Sequence, residues 1–243
     1  MKVEKVTPYA SGESKRVQIT RAFDAIACRY DRLNRILSFG LDLGWRRRAL
    51  CHLLNPPPAR VLDVATGTAD FALLTAKRLP QTRITGIDLS QGMIEAGRIK
   101  VAAAGLEDRI TLVTGDCLAL DFPDATFDAA TAAFGVRNFE NLAAGLIEIH
   151  RVLKPGGCAV ILELSVPRAF PLRQFHRFYL HCWIPLMGRI LTGHTREYAY
   201  LPASIAQVPQ GEAMLTLLRA AGFTDCRVDT YTFGICSCYT GQV

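Results

Sequence analysis

Three consecutive prolines divide the chain, and the pattern beyond them restricts the fold more than any other feature. Asn55-Pro56-Pro57-Pro58 cannot continue a helix. After it, short apolar strands and amphipathic helices take turns. Residues 60–64 read as a strand, 71–79 as a helix, 83–88 as a strand and 93–104 as a helix. Residues 110–114 and 127–133 read as strands, and a helix runs from about 141 to 153. Lys154-Pro155-Gly156-Gly157 is expected to stop that helix, with a fifth strand over 158–164. Strands this short and apolar, alternating with helices, imply a mainly parallel sheet covered on both faces, a doubly wound α/β fold. After a helix at about 211–221, residues 224–230 and 234–240 read as strands close enough in sequence to pair antiparallel.

Two segments stand outside this rhythm. Residues 18–54 look helical, with Phe23, Ile26, Ala27, Tyr30, Leu33, Ile36 and Leu37 recurring at spacings of three and four. Ser38-Phe39-Gly40 is the expected stop, and Trp45-Arg46-Arg47-Arg48 the start of a further helix. Residues 165–206 are aromatic and basic. The expected organisation is an N-terminal helical lid over 1–55 and a catalytic domain over 56–243, with 165–206 as an insertion. Residues 1–60 carry twelve Lys and Arg against five Asp and Glu, and residues 165–206 five against one. The flanks are thus basic and the core mildly acidic, a charge pattern suited to resting on an anionic membrane. The longest apolar stretches are too short to span one, and residues 1–15 lack a secretory core, so a cytoplasmic protein is expected. None of the eight cysteines forms a C-x-x-C pair, which points to reduced thiols and no metal.

Open parallel sheets bind ligands at the carboxyl ends of their strands. The first such end reads Asp63-Val64-Ala65-Thr66-Gly67-Thr68-Ala69-Asp70. Gly67 lets a ligand approach the backbone, and Thr68 offers a hydroxyl and an amide near a helix start. Ala65 and Asp70 occupy the first and third glycine positions of a dinucleotide fingerprint. A carboxylate there would repel a pyrophosphate. S-adenosyl-L-methionine (SAM) has no phosphate, and its sulfonium and ammonium outnumber its one carboxylate, so Asp63 and Asp70 suit it. Asp88 closes the second strand, 21 residues past Gly67, near the spacing of about 20 at which an acid meets ribose hydroxyls. Gly115-Asp116-Cys117 closes the third. Asp116 can accept from an adenine amino group, and the Cys117 amide can donate to a ring nitrogen.

The same residues belong to a longer pattern. It includes Tyr30-Asp31, Leu33-Asn34 and Leu37-Ser38-Phe39-Gly40, then Asp63-x-Ala65-Thr66-Gly67-Thr68 and Phe122-Pro123-Asp124-x-x-Phe127-Asp128. Phe134-Gly135-Val136-Arg137-Asn138, residues 151–157 and Leu162-Glu163-Leu164-Ser165 continue it. In these segments, from about residue 18 onward, the chain resembles the UbiE/MenG/COQ5 family of quinone-biosynthesis C-methyltransferases. The resemblance implies a Rossmann-like class I SAM-dependent methyltransferase fold, a seven-stranded, mostly parallel sheet with one antiparallel strand. It implies methyl transfer from SAM to a ring carbon of a polyprenylated quinol, demethylmenaquinol to menaquinol, with some relatives also acting on the 2-methoxy-6-polyprenyl-1,4-benzoquinol precursor of ubiquinone. Cofactor contacts at Thr68, Asp88, Asp116 and Cys117 are implied as well. Ala69 stands where the family usually has glycine; at a helix start an alanine is expected to be accommodated easily. Ala133 replaces a serine that touches the cofactor in some members.

A ring carbon is a poor nucleophile until a ring hydroxyl ionises, and such a hydroxyl titrates near tyrosine, at about 10. Arg137 stays protonated, so it is expected to stabilise the phenolate or to polarise a water that takes the proton. Asn138 would orient the ring oxygen, and Tyr30 would line the substrate pocket. His176, His181 and His194 are further candidates for a base. Three rival readings share parts of the pattern. A SAM methyltransferase for another small molecule would differ in the lid. An NAD-dependent oxidoreductase is disfavoured by Ala65 and Asp70. A binding protein without catalysis would use the basic flanks, but no RNA-binding motif stands out, and no nucleic-acid partner is expected. The oligomeric state, a homodimer included, stays open.

Overall fold

The structure is a computed structural model describing residues 1–9, 11–184 and 196–243. One sheet holds β1 (Arg60–Val64), β2 (Arg83–Asp88), β3 (Ile110–Thr114), β4 (Phe127–Ala133), β5 (Leu153–Leu164), β6 (Thr224–Tyr231) and β7 (Cys236–Gln242). Their order is β3-β2-β1-β4-β5-β7-β6. β1 to β5 are mutually parallel, and β7 runs antiparallel to both β5 and β6. The expected doubly wound sheet with one antiparallel strand is what this chain forms. Strand order reverses between β1 and β4, which places a ligand crevice at their carboxyl ends.

Alternation along each strand divides the core between two faces. Leu62, Val64, Ala130 and Ile161 pack toward one side, with α6 (Leu142–Val152) and α9 (Glu212–Ala220). Leu142, Leu146, Ile149 and Val152 make the buried stripe of α6 at helical spacing. Asn141 caps that helix, its side chain accepting from the Ala144 amide at 3.0 Å. On the other side Val61, Ala129 and Val160 pack with α3 (Leu41–Leu50), α4 (Asp70–Arg78) and α5 (Gln91–Ala103).

Ahead of the sheet run α1 (Lys15–Ile26), a 3₁₀ turn (Ala27–Arg29) and α2 (Tyr30–Leu37). The stop at Ser38-Phe39-Gly40 is as expected, but α3 begins at Leu41 rather than Trp45. Gly40, with φ +74°, turns the chain straight into the next helix. β5 also starts earlier than expected, at Leu153. The Pro-Gly-Gly segment is an irregularity inside the strand, where its register against β4 shifts, not a gap before it.

Within the insertion, α7 (Leu172–Phe178) continues as a π-helical turn (Tyr179–Trp183), and α8 (Arg196–Gln207) follows. Leu33 of α2 meets Leu180, Ile184 and Ile205 of the insertion in a small apolar cluster of their own. Among the described residues, no helix is long and apolar enough to cross a membrane, and no cluster of His, Cys, Asp and Glu has metal-binding geometry.

Candidate active site

Two clefts open where the strand order reverses, of about 690 and 660 Å³ including the space open to solvent at their mouths. Tyr30 and Phe134 line both and form the seam between them. A smaller cleft of about 320 Å³ shares Ala65, Gly67 and Ala133 with the first.

The first cleft gathers four of the residues singled out for the cofactor, Gly67, Asp88, Asp116 and Cys117. Gly67 has φ +55° and donates its amide to Asp88 Oδ2 at 2.8 Å. Asp88 Oδ1 accepts from the Ser90 amide at 2.9 Å. Two backbone donors thus aim the carboxylate, while Ser90 takes over the helix cap, accepting from the Met93 amide. Burial raises the pKa of Asp88, and the two amides oppose it. A β-carbon on Gly135 would come within 2.5 Å of the Ala65 β-carbon, so only glycine lets the turns after β1 and β4 approach this closely.

The backbone here is strained. Ala65 (φ +52°), Ala69 (φ +64°) and Phe134 (φ +62°) all adopt the left-handed region. The expectation for Ala69 therefore fails. It is the N-cap of α4 in left-handed geometry, where a β-carbon costs roughly 1–2 kcal/mol. Residues held this way cluster at functional sites because their surroundings over-determine them.

Asp116 differs from expectation in its partners. Its Oδ1 accepts from the Leu118 amide at 2.9 Å, and Arg16 of α1 reaches Oδ2 at 2.8 Å. An adenine amino group would share or displace that guanidinium, whose side chain is half exposed. Cys117 is buried, and burial raises its thiol pKa, so what it can offer a ligand is backbone rather than thiolate.

Thr68 lies in the smaller cleft, and its hydroxyl is already engaged. It donates to Asp31 and receives from Lys100 at 3.2 Å. Lys100 also pairs with Asp31 and Asp70, and Arg35 pairs with Asp70 at 2.7 Å. Burial would raise the pKa of Asp70, but Lys100, Arg46 and Arg35 hold it below the ordinary carboxylate range. The sequence reading offered Asp70 to a cationic ligand; the structure spends it on tying α2 to α4 and α5. What remains for a cation is Asp63, in the smaller cleft, which accepts from Thr66 and Thr131 hydroxyls at 2.6 Å each. An acidic floor of Asp63, Asp88 and Asp116, with the Asp70 carboxylate at the start of α4 where a phosphate would sit, fits SAM better than a dinucleotide.

Burial pushes Asp63 up to about 6, against the pull of the two hydroxyls and Arg46. A cationic ligand favours the ionised form, so binding below that pH must expel a proton. SAM affinity is expected to fall by up to about tenfold per pH unit below 6. Calorimetry across pH 5–8 checks this, with Asp63→Asn flattening the profile. An unchanged slope in that variant would assign the titration elsewhere.

Arg137 and Asn138 sit in a 3₁₀ turn just past β4. Asn138 faces the first cleft and accepts from the Tyr200 hydroxyl at 2.9 Å, whereas Arg137 lines the second. Arg137 is 6% exposed, and its Nη1 donates to Glu163 Oε1 at 2.7 Å and to the Phe134 carbonyl. Its backbone amide also donates to Glu163, at 3.1 Å. Burial works against the guanidinium's charge, but Glu163 prevails and raises its pKa. Lys15 braces the turn from α1, donating to the Arg137 carbonyl at 2.9 Å and the Phe139 carbonyl at 3.2 Å. Tyr30 is partly buried at the seam, its ring edge-on to Phe23 at 5.9 Å. His176 is buried in the second cleft, and its Nδ1 has no partner among the described residues. His194 and the side chain of His181 lie outside the described residues.

Sequence reasoning assigned no role to Glu163, Lys15 or Lys100. An acid in the apolar run Val160-Ile161-Leu162-Glu163-Leu164 was the available signal, because a buried carboxylate needs a partner.

Comparison with known proteins shows the family and the fold. The profile of the ubiE/COQ5 methyltransferase family matches residues 10–243. A demethylmenaquinone methyltransferase from Bacteroides fragilis is 45% identical, covering 98% of this chain and 97% of its own. A ubiquinone/menaquinone biosynthesis C-methyltransferase from Geobacter sulfurreducens is 44% identical over 99% of this chain and 94% of its own. Among solved structures, a SAM-dependent methyltransferase from Thermotoga maritima superposes with a TM-score of 0.64 at 18% identity, covering 91% of this chain and 98% of that one, a likeness of fold.

Proposed function

This chain belongs to the ubiE/COQ5 methyltransferase family, and from that premise we propose that it methylates a ring carbon of demethylmenaquinol, giving menaquinol, with SAM as donor. The observation that carries the reading is the pair of clefts meeting at Tyr30 and Phe134, one presenting Asp88 and Asp116, the other presenting Arg137 beside a run of aliphatic side chains. Asp88 would hold the ribose, Asp116 and the Cys117 backbone the adenine, and Gly67, Thr68 and Asp63 the methionine end. Bound there, SAM supplies an electrophilic methyl group on a sulfonium. The protein's tasks are to align the ring carbon with it, to exclude water and to favour the phenolate. Arg137 carries the charge for the last task, Asn138 the orienting amide, and Tyr30 a wall of the ring pocket. Leu37, Leu180, Ile184, Leu201 and Ile205 line the second cleft and suit an isoprenoid tail. The N-terminal helices and the insertion then act as the lid. A direct test presents demethylmenaquinol and the 2-methoxy-6-polyprenyl-1,4-benzoquinol to the enzyme with methyl-labelled SAM. Label transfer to the naphthoquinol ring supports the reading, and transfer to neither quinol overturns it.

A quinol with a polyprenyl tail resides in a membrane, and the same lid offers a surface for reaching it. Phe170, Phe175 and Phe178 are 80%, 68% and 65% exposed, beside Arg168, Arg173 and Arg177. Each phenyl ring withdrawn into lipid contributes about 1.5–3 kcal/mol, and the arginines favour anionic headgroups. The protein is expected to co-sediment with phosphatidylglycerol vesicles at low salt and to release at high salt. Phe175→Ser with Phe178→Ser should weaken that binding by about tenfold or more and leave SAM affinity unchanged. Wild-type protein that ignores the vesicles removes the docking idea.

A further inference from the structure

We propose that Arg46 is the carboxylate-binding residue of the methyl-donor site, receiving the methionine carboxylate while Asp63 receives the ammonium. Arg46 lines the small cleft together with Asp63, Thr66, Gly67 and Thr68. Its position is set by α3, where Asp42, one turn earlier, accepts from Arg46 Nη1 at 2.5 Å. Asp42 is itself shared, because Arg35 and Ser38 also reach it. Phe134 lies against the guanidinium, with the central carbon 5.0 Å from the ring centroid. An arginine pinned by an acid and an aromatic ring is pre-organised for planar, bidentate recognition.

The side chain is nonetheless incomplete. It is 5% exposed, yet Nε has no hydrogen-bond partner among the described residues. A buried donor left without an acceptor is costly and calls for an explanation. A carboxylate entering the small cleft supplies one. The charge inventory agrees. Arg35, Arg46 and Lys100 face Asp31, Asp42 and Asp70, which leaves Asp63 as the acid outside those pairs. A zwitterionic amino-acid tail adds one charge of each sign and leaves the balance intact. No phosphate enters this scheme.

The inference rests on the SAM reading, and the test separates the two. Binding is measured by calorimetry for SAM and for decarboxylated SAM, which keeps the sulfonium, amine and nucleoside and lacks only the carboxylate. Wild-type protein is expected to prefer SAM by about 10- to 100-fold. Arg46→Met should lose that preference, with SAM weakened to the level of the decarboxylated ligand and the latter within about threefold of wild type. Arg46→Lys keeps the cation without the fork and should fall between them. If Arg46→Met weakens both ligands equally, Arg46 serves only Asp63 or the fold. If wild type shows no preference, no variant is needed to reject the assignment. Protein that binds neither ligand overturns the methyl-donor reading itself, and the Arg46 assignment with it.

Discussion

Replacing Asp88 with alanine is expected to raise the dissociation constant for SAM by about 100-fold or more while leaving the sheet intact. The carboxylate is aimed by the Gly67 and Ser90 amides, and hydrogen bonds donated to a charged acceptor contribute roughly 1.5–3 kcal/mol each. Two ribose hydroxyls on one carboxylate account for the size of the effect. Asp88→Asn is the informative companion. Its amide oxygen can keep one of the backbone donors, but the NH₂ turns toward the other and loses it. Binding in Asp88→Asn should therefore be weak, with a smaller loss of thermal stability than in Asp88→Ala. Calorimetry and thermal melts of both variants check this, and SAM affinity within threefold of wild type in Asp88→Ala would remove Asp88 from the site.

The place of Asp88 at the end of β2 beside Gly67 was legible in the sequence because two regularities met there: the end of an apolar strand and a glycine turn at a fixed distance before it. The strands β2, β3 and β4 were legible for a related reason. Each is a short, largely apolar run between turn residues, so its ends are written in composition. Ala69 shows the opposite case. A backbone angle leaves no trace in an alanine, and the strain at φ +64° emerges only from the fold. The pairing of Asp70 with Arg35 and Lys100 was hidden for yet another reason. Its partners lie 35 and 30 residues away in the chain, and charge on three helices can be combined in many ways until their packing selects one. The second cleft was legible only in part, since its lining draws on α2, α7 and α8, whose mutual arrangement no local pattern specifies.

The role of Arg137 is the harder question, because the residue is both placed at the seam and buried in an ion pair. Arg137→Met is expected to lower turnover of demethylmenaquinol by about 10²–10³-fold, the usual result of removing a donor that stabilises developing negative charge. The same change strands Glu163, which is 1% exposed, and breaking one half of a buried pair costs about 3–5 kcal/mol. A loss of activity alone therefore cannot distinguish chemistry from collapse. The double variant Arg137→Met with Glu163→Met can, because replacing both members of a buried pair by apolar groups is often neutral for stability. If Arg137 stabilises the phenolate, the double variant should melt near wild type, bind SAM with wild-type affinity and still turn over about 10²–10³-fold more slowly. If Arg137 only holds the 3₁₀ turn against β5, stability and turnover should return together. Lys15 makes the first outcome the expected one, since its ammonium already fastens the Arg137 and Phe139 carbonyls from the other side. The turn does not depend on the Glu163 pair alone, which leaves the guanidinium's charge, facing the second cleft, as the part the reaction would miss.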